Sequence, residues 1–146
     1  MPLPPPLWHC PRCGRPFANR NQPHSCTAAT VEQHLAGKDP HGVALYHRFE
    51  ALVRDCGPFV LAPARTRIGF QVRMIFAAVS VKDDRLDGHV VLARRLEHPR
   101  FRRVESFSPR SHAHYFRLRS LEEIDGEVAA WVREAYAVGE QKHLRA

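Results

Sequence analysis

Four residues of the kinds that ligate metals crowd into the segment 10–26: Cys10 and Cys13 flank Pro11-Arg12, and His24 and Cys26 follow after a ten-residue spacer. The pattern C-x2-C-x10-H-x-C supplies three thiolates and an imidazole at the spacing that tetrahedral zinc takes. Pro11 stiffens the loop between the first two thiols. Gly14 can take a positive φ, which lets backbone N–H groups point at sulfur. Four protein ligands make a closed, structural site. So short a segment cannot hold a core, so metal binding must supply its folding energy. His9 is an alternative to His24, and Cys56 an alternative fourth ligand. His24 is preferred because it shares a short turn with Cys26; Cys56 reads as a buried thiol near a helix end. The start, Met1 to Pro6, lacks the cationic stretch and apolar run of a secretory leader. The thiols are therefore expected in a reducing cytoplasm, where they bind metal rather than pair. A redox C-x-x-C would follow a strand and open a helix; this one follows a polyproline stretch.

With 146 residues the chain fits a zinc-binding segment over 1–28 and one domain over 29–146. The longest apolar run, Ile75 to Val79, is far too short to cross a bilayer. The formal charge of +7 is unevenly spread. Residues 60–120 hold 13 basic and 5 acidic side chains, and residues 1–26 hold 3 basic and none acidic. The segments 27–59 and 121–146 are mildly acidic. Such asymmetry favours a polyanionic partner, although basic surfaces also serve solubility alone. A zinc site with three thiolates carries a charge of about −1. Arg12, Arg15 and Arg20 can compensate it or contact phosphate.

Thr30-Val31-Glu32-Gln33 predicts a capping box and a short helix ending near Gly37. A second helix starts near Pro40, carries Leu45, Phe49, Leu52, Val53 and Cys56 at helical spacing, and stops at Gly57-Pro58. Strands are expected over 66–70, 74–81, 86–93, 101–107 and 114–119, with Lys82-Asp83-Asp84-Arg85 as a turn. In the last strand His114, Phe116 and Leu118 share one face, and Tyr115, Arg117 and Arg119 the other. Ser120 and Glu123 predict a capping box for a closing helix with the stripe Ile124, Val128, Trp131, Val132 and Ala135. Strands grouped between helices argue for an α+β fold: a mostly antiparallel sheet of about five strands against flanking helices, with the zinc-stapled segment at its N-terminus.

Trp8-His9-Cys10-Pro11-Arg12-Cys13-Gly14-Arg15-Pro16-Phe17, Asn21 to Cys26, Thr30 to Lys38, the basic strand Phe70 to Phe76 and the closing Ala135-Tyr136 carry a resemblance. Over nearly its whole length the chain resembles bacterial proteins with the uncharacterised domain of unknown function 5655, and the cysteine segment is the most specific part. The resemblance implies a compact α+β domain with no established activity and no catalytic residues to carry over.

Arg65, Arg67, Gln71 and Arg73 share parity, so a regular strand would present them on one face. Arg102, Arg117 and Arg119 come from neighbouring segments, with Tyr115 beside Arg117. A basic sheet face with an aromatic holds single-stranded nucleic acid by phosphate contact and base stacking; a merely solvated face is the plainer reading. His112, His114 and Glu105 suggest a metal-dependent phosphoesterase, against which a loop histidine and a packed one weigh more. Asp83, Asp84 and Asp87 read as hairpin chemistry rather than a magnesium cluster. No P-loop, dinucleotide turn, nucleophile elbow or zincin helix is present. The expectation is a non-enzymatic nucleic-acid-binding module using Arg65, Arg67, Arg73, Arg102, Tyr115, Arg117 and Arg119, with structural zinc on Cys10, Cys13, His24 and Cys26. The alternative is a module for a protein partner or an anionic small molecule.

Overall fold

Capping residues and strand alternation set the elements. The computed structural model describes residues 5–22 and 30–144. Thr30 accepts from the Gln33 N–H at 3.1 Å while the Gln33 side chain accepts from the Thr30 N–H, so the capping box opens α1, Val31–Leu35. Asp39 caps α2, Pro40–Cys56, by accepting from the His41 N–H, and Pro40 occupies the first turn, where its missing N–H costs nothing. Gly57 ends the helix.

Two further strands stand at the N-terminus, β1 (Trp8–His9) and β2 (Pro16–Phe17), paired as a hairpin. Six strands follow: β3 (Val60–Pro63), β4 (Ile68–Gln71), β5 (Ile75–Lys82), β6 (Arg85–Leu92), β7 (Phe101–Ser108) and β8 (Ser111–Leu118). They form one antiparallel sheet in the order β3-β4-β5-β6-β8-β7. The sheet thus has six strands where about five were expected. The strand not foreseen, β3, is a short edge strand ending in proline, a residue confined to such positions because it cannot donate to the ladder. Asp83 turns the β5–β6 hairpin at φ 55°, as the Lys-Asp-Asp-Arg spacing implied.

One sheet face carries Ile68, Phe70, Val79, Val81, Leu86 and Val90, all buried beneath α2 and α3. Helix α3, Gly126–Gly139, lays Val128, Trp131, Val132 and Ala135 on that face. Its start differs from expectation. The Ser120–Glu123 capping box closes a single 3-10 turn, Leu121–Glu123, and Asp125 caps α3 itself by accepting from the Glu127 and Val128 N–H groups. Arg100 clamps this junction: it donates to Asp125, Glu127 and the Glu123 carbonyl, and its guanidinium lies over the Trp131 ring.

Beyond α3 the chain crosses the end of the sheet as a strap. The Gly139 carbonyl accepts from the N–H groups of Arg73 and Met74, between β4 and β5. The chain then turns at Gln141 (φ 62°) into the 3-10 turn Lys142–Leu144, where the His143 carbonyl accepts from Arg110 in the β7–β8 hairpin. No helix among the described residues is long and apolar enough to cross a membrane.

Candidate functional site

The sheet face opposite the helices concentrates the charge. Register lines up Gly69, Ala78, His89, Tyr115 and Arg103 in one row across five strands. The next row sets Ser80 beside Asp87 and Asp87 beside Arg117. The Arg103 guanidinium lies 4.0 Å from the Tyr115 ring centroid, and the His89 ring packs against Tyr115 at 5.0 Å. A register shift between Phe101 and Arg103 bulges β7, so Arg102 and Arg103 both border the same depression. Three shallow depressions line this face, and Tyr115 borders all three.

Ion pairing divides the arginines into tied and available ones. Arg117 and Arg85 both donate to Asp87 Oδ1, at 2.9 and 3.2 Å. Partial burial alone would raise the Asp87 carboxyl, but the two guanidiniums outweigh it and hold it below the usual carboxylate range. Arg103 reaches Glu105 at 3.7 Å, and the Tyr115 hydroxyl donates to the same carboxylate. Arg65, Arg67, Arg102 and Arg119 form no side-chain ion pair among the described residues. Arg65 and Arg67 belong to the turn before β4, which closes with the Ala64 N–H donating to the Arg67 carbonyl. Arg67 is near enough to His89 for its charge to act on that ring.

Arg73 does not join this group. The register shifts at Phe70/Gln71 and ends the alternation that would have carried Arg73 onto the face. Its side chain is buried and donates from Nε to Gln141 Oε1 at 2.8 Å, bracing the strap. Arg119 lies just past β8 and is exposed; its N–H donates to Glu123 and its carbonyl accepts from His41.

His89 was not singled out from the sequence. It is 8% exposed on the open face, and burial first, then the charges of Arg67 and Arg103, lowers its pKa from 6.5 to about 4. The ring is therefore neutral at pH 7, with one donor and one acceptor nitrogen and no protein hydrogen-bond partner for either among the described residues. Strand alternation could have placed it on the Tyr115 face; only the register sets it against Tyr115.

His112 and His114 do not converge with Glu105. Glu105 pairs with Ala113, whose side chain faces the opposite way from its two histidine neighbours. His114 is fully buried: Nε2 accepts from the Leu96 N–H at 2.9 Å, so Nδ1 carries the proton and donates to the His112 carbonyl. His112 accepts from Ser106 at Nδ1 and donates to the Pro109 carbonyl from Nε2. With all four ring nitrogens committed to protein, these residues assemble no phosphoesterase site. Among the described residues, no three His, Cys, Asp or Glu side chains gather to hold a metal.

Cys10 and Cys13 lie on the tight turn of the N-terminal hairpin. Cys10 is buried, its Sγ accepts from the Arg12 N–H at 3.4 Å, and its carbonyl accepts from the Gly14 N–H. Gly14 has a φ of 73°, which a side chain would strain. A sulfur that accepts a backbone N–H inside a C-x2-C turn is in the environment that stabilises a thiolate, so this half of the ligand set suits zinc. His24 and Cys26 lie outside the described residues. Cys56 ends α2, half-buried, and its thiol donates to the Leu52 carbonyl; burial pushes its pKa up. Neither it nor His9 gathers with the two thiols into a three-ligand cluster. The hairpin is tied to the domain by Gln71, whose amide donates to the Pro16 carbonyl, and Phe17 is buried.

A family model described as a domain of unknown function, DUF5655, matches residues 31–139. The chain belongs to the DUF5655 family. No curated protein and no solved structure matches it. The DUF5655 region runs from α1 through α3 and contains the entire six-stranded sheet, with His89 and Tyr115. The cysteine hairpin and the strap after Gly139 fall outside it, so the family match does not extend to the segment that the sequence made most specific.

Proposed function

We propose that this DUF5655 domain is a non-enzymatic module that binds single-stranded nucleic acid along its open sheet face. The observation that carries this reading is the Arg103 guanidinium over the Tyr115 ring, with His89 tilted against Tyr115, on a row flanked by Arg67 and Arg102, which form no ion pair among the described residues. A guanidinium plane lying on an aromatic ring offers a flat platform on which a base stacks. Unpaired guanidiniums beside it take phosphates without first breaking an ion pair. The shallow floor suits extended single strands better than a duplex, whose bases are already stacked inward.

The test is a salt titration of binding to labelled single- and double-stranded DNA and RNA. The expected result is a steep salt slope with preference for single strands. Arg67→Ala or Arg102→Ala should each lower the slope by about one, and Tyr115→Ala should weaken binding about tenfold at fixed salt. Arg73→Ala is the buried comparison, expected to leave the slope unchanged. Weak binding without preference, unmoved by these substitutions, overturns the reading.

The same proposal gives the N-terminal segment a structural zinc ion on Cys10, Cys13, His24 and Cys26. The sulfur-directed N–H of Arg12 and the positive φ of Gly14 support it. Bound there, the ion would fix the hairpin that carries Arg12 and Arg15. With thiol ligands, the protein is expected in a reducing compartment such as the cytoplasm.

A further inference from the structure

One of the three depressions differs from the others. Both neighbours include Asp87, whereas this one, a cavity of ≈ 410 Å³, is bordered by no carboxylate among the described residues. Its floor is His89, Val91 and Tyr115. Ile75 stands on one side and Phe107 on the other, and Leu144 on the strap borders one end. These three are 40%, 60% and 53% exposed, and they are three of the five large apolar side chains left exposed on the described surface. Scattered exposed apolar residues need no explanation; their concentration around one concavity marks a binding site.

Polar groups are distributed along the same groove. Arg67 borders the end that merges with the next depression, where His89 and Tyr115 are shared. Arg110 stands at the strap end; its only side-chain hydrogen bond among the described residues runs to the His143 carbonyl at 3.3 Å. Neither arginine meets a carboxylate there. His143 Nδ1 is buried without a hydrogen-bond partner among the described residues. The strap bounds the groove because it spans from Met74 on one side to Arg110 on the other. A polymer running along the strands is stopped there.

We propose that this groove takes one nucleotide with a terminal phosphate, its base between Ile75 and Phe107 and its phosphate on Arg110. The inference rests on the strand-binding reading when the nucleotide is the end of a strand, in which case Arg67 takes the next phosphate along. A free mononucleotide offers the same chemistry and does not need that reading. Neutral His89 supplies one donor and one acceptor to the base edge, and a lining without acid among the described residues fits an anion carrying two negative charges.

The experiment measures four probes by competition: an oligonucleotide with a 5′-phosphate, the same with a 3′-phosphate, the same with neither, and a circular single strand. A nucleoside monophosphate is titrated separately by NMR, reading the His89 and Phe107 resonances. The expected result is at least tenfold tighter binding of one phosphorylated end than of the circular strand. That preference should vanish in Arg110→Ala and fall in Phe107→Ser, both exposed and able to fold. Equal binding of linear and circular strands with a steep salt slope, and no mononucleotide shift at His89 or Phe107, overturns the groove and spares the strand reading. Mononucleotide binding lost in Arg110→Ala, without strand binding, supports the groove and overturns the strand reading. If Arg110→Ala alters neither probe, the groove proposal falls.

Discussion

His89 and His114 sit on adjacent strands and face opposite sides of the sheet, each buried and each held toward the neutral form. Their burial ties stability to pH with a definite sign. For His89 the folded pKa, about 4, lies below the 6.5 of an ordinary histidine. As pH falls through 6.5 the unfolded chain takes up a proton that the folded chain refuses until about pH 4, so stability drops across that window. Arg67 and Arg103 face the ring and reinforce the refusal. The loss should reach about 2 kcal/mol by pH 5. Denaturant unfolding at pH 7 and pH 5 checks it: His89→Gln should lose about 2 kcal/mol less than the parent protein between the two. Equal losses would mean that His89 titrates normally. His114 adds to the slope in the same direction, but its substitution also orphans the Leu96 N–H and the His112 carbonyl, so it tests hydrogen bonding as much as charge.

Element packing is close where α2 crosses the tip of the β5–β6 hairpin. A Cβ on Gly42 would stand 2.6 Å from Val81 Cγ1 and 2.8 Å from the Asp83 carbonyl oxygen. The Asp83 carbonyl is backbone and Val81 is buried in the core, so neither yields easily, and Gly42→Ala should destabilise by about 1–3 kcal/mol despite alanine's helix propensity. Gly126, in the first turn of α3, has nothing within 4 Å of its would-be Cβ; Gly126→Ala should be neutral or raise Tm. Thermal unfolding of both variants decides it, and equal Tm values would refute the close approach. These elements were legible to different degrees for physical reasons. The starts of α1 and α2 were readable because the capping chemistry is local: Thr30 with Gln33, and Pro40 in the first turn. The Ser120–Glu123 pattern is legible as a cap, but it closes the 3-10 turn and not α3, since sequence alone does not separate such a turn from the helix behind it. Parity put Tyr115 and Arg117 on the open face and failed for Arg73, because a bulge at Phe70/Gln71 is a property of the pairing and not of the residues. The Arg67–His89–Tyr115 neighbourhood and the strap needed strand order, which no local pattern carries.

At the scale of the whole molecule, two units are held by different forces. The six-stranded sheet with α2 and α3 buries an extended apolar core, so it is expected to fold cooperatively without metal. The hairpin over β1 and β2 is too small for a core of its own; its ties to the sheet domain include the Gln71 amide on the Pro16 carbonyl, and Phe17 is buried. If zinc on Cys10, Cys13, His24 and Cys26 supplies the hairpin's order, removing it should loosen one unit and leave the other standing. The two tryptophans divide between the units: Trp8 lies against Phe17 in the hairpin, and Trp131 projects from α3 into the core. Chelation, or Cys13→Ser, should therefore shift Trp8 emission to the red, release about one zinc per chain, and change the main unfolding transition by only a few degrees. Trp8→Phe in the same experiment should abolish the emission shift, which assigns it to the hairpin. Were chelation to unfold the sheet as well, the metal would be holding the core and the division into two units would be wrong. Were the protein to carry no zinc and Trp8 emission to stay unmoved, the ligand assignment itself would fall, because the N–H directed at Cys10 Sγ would then be stabilising an ordinary thiol.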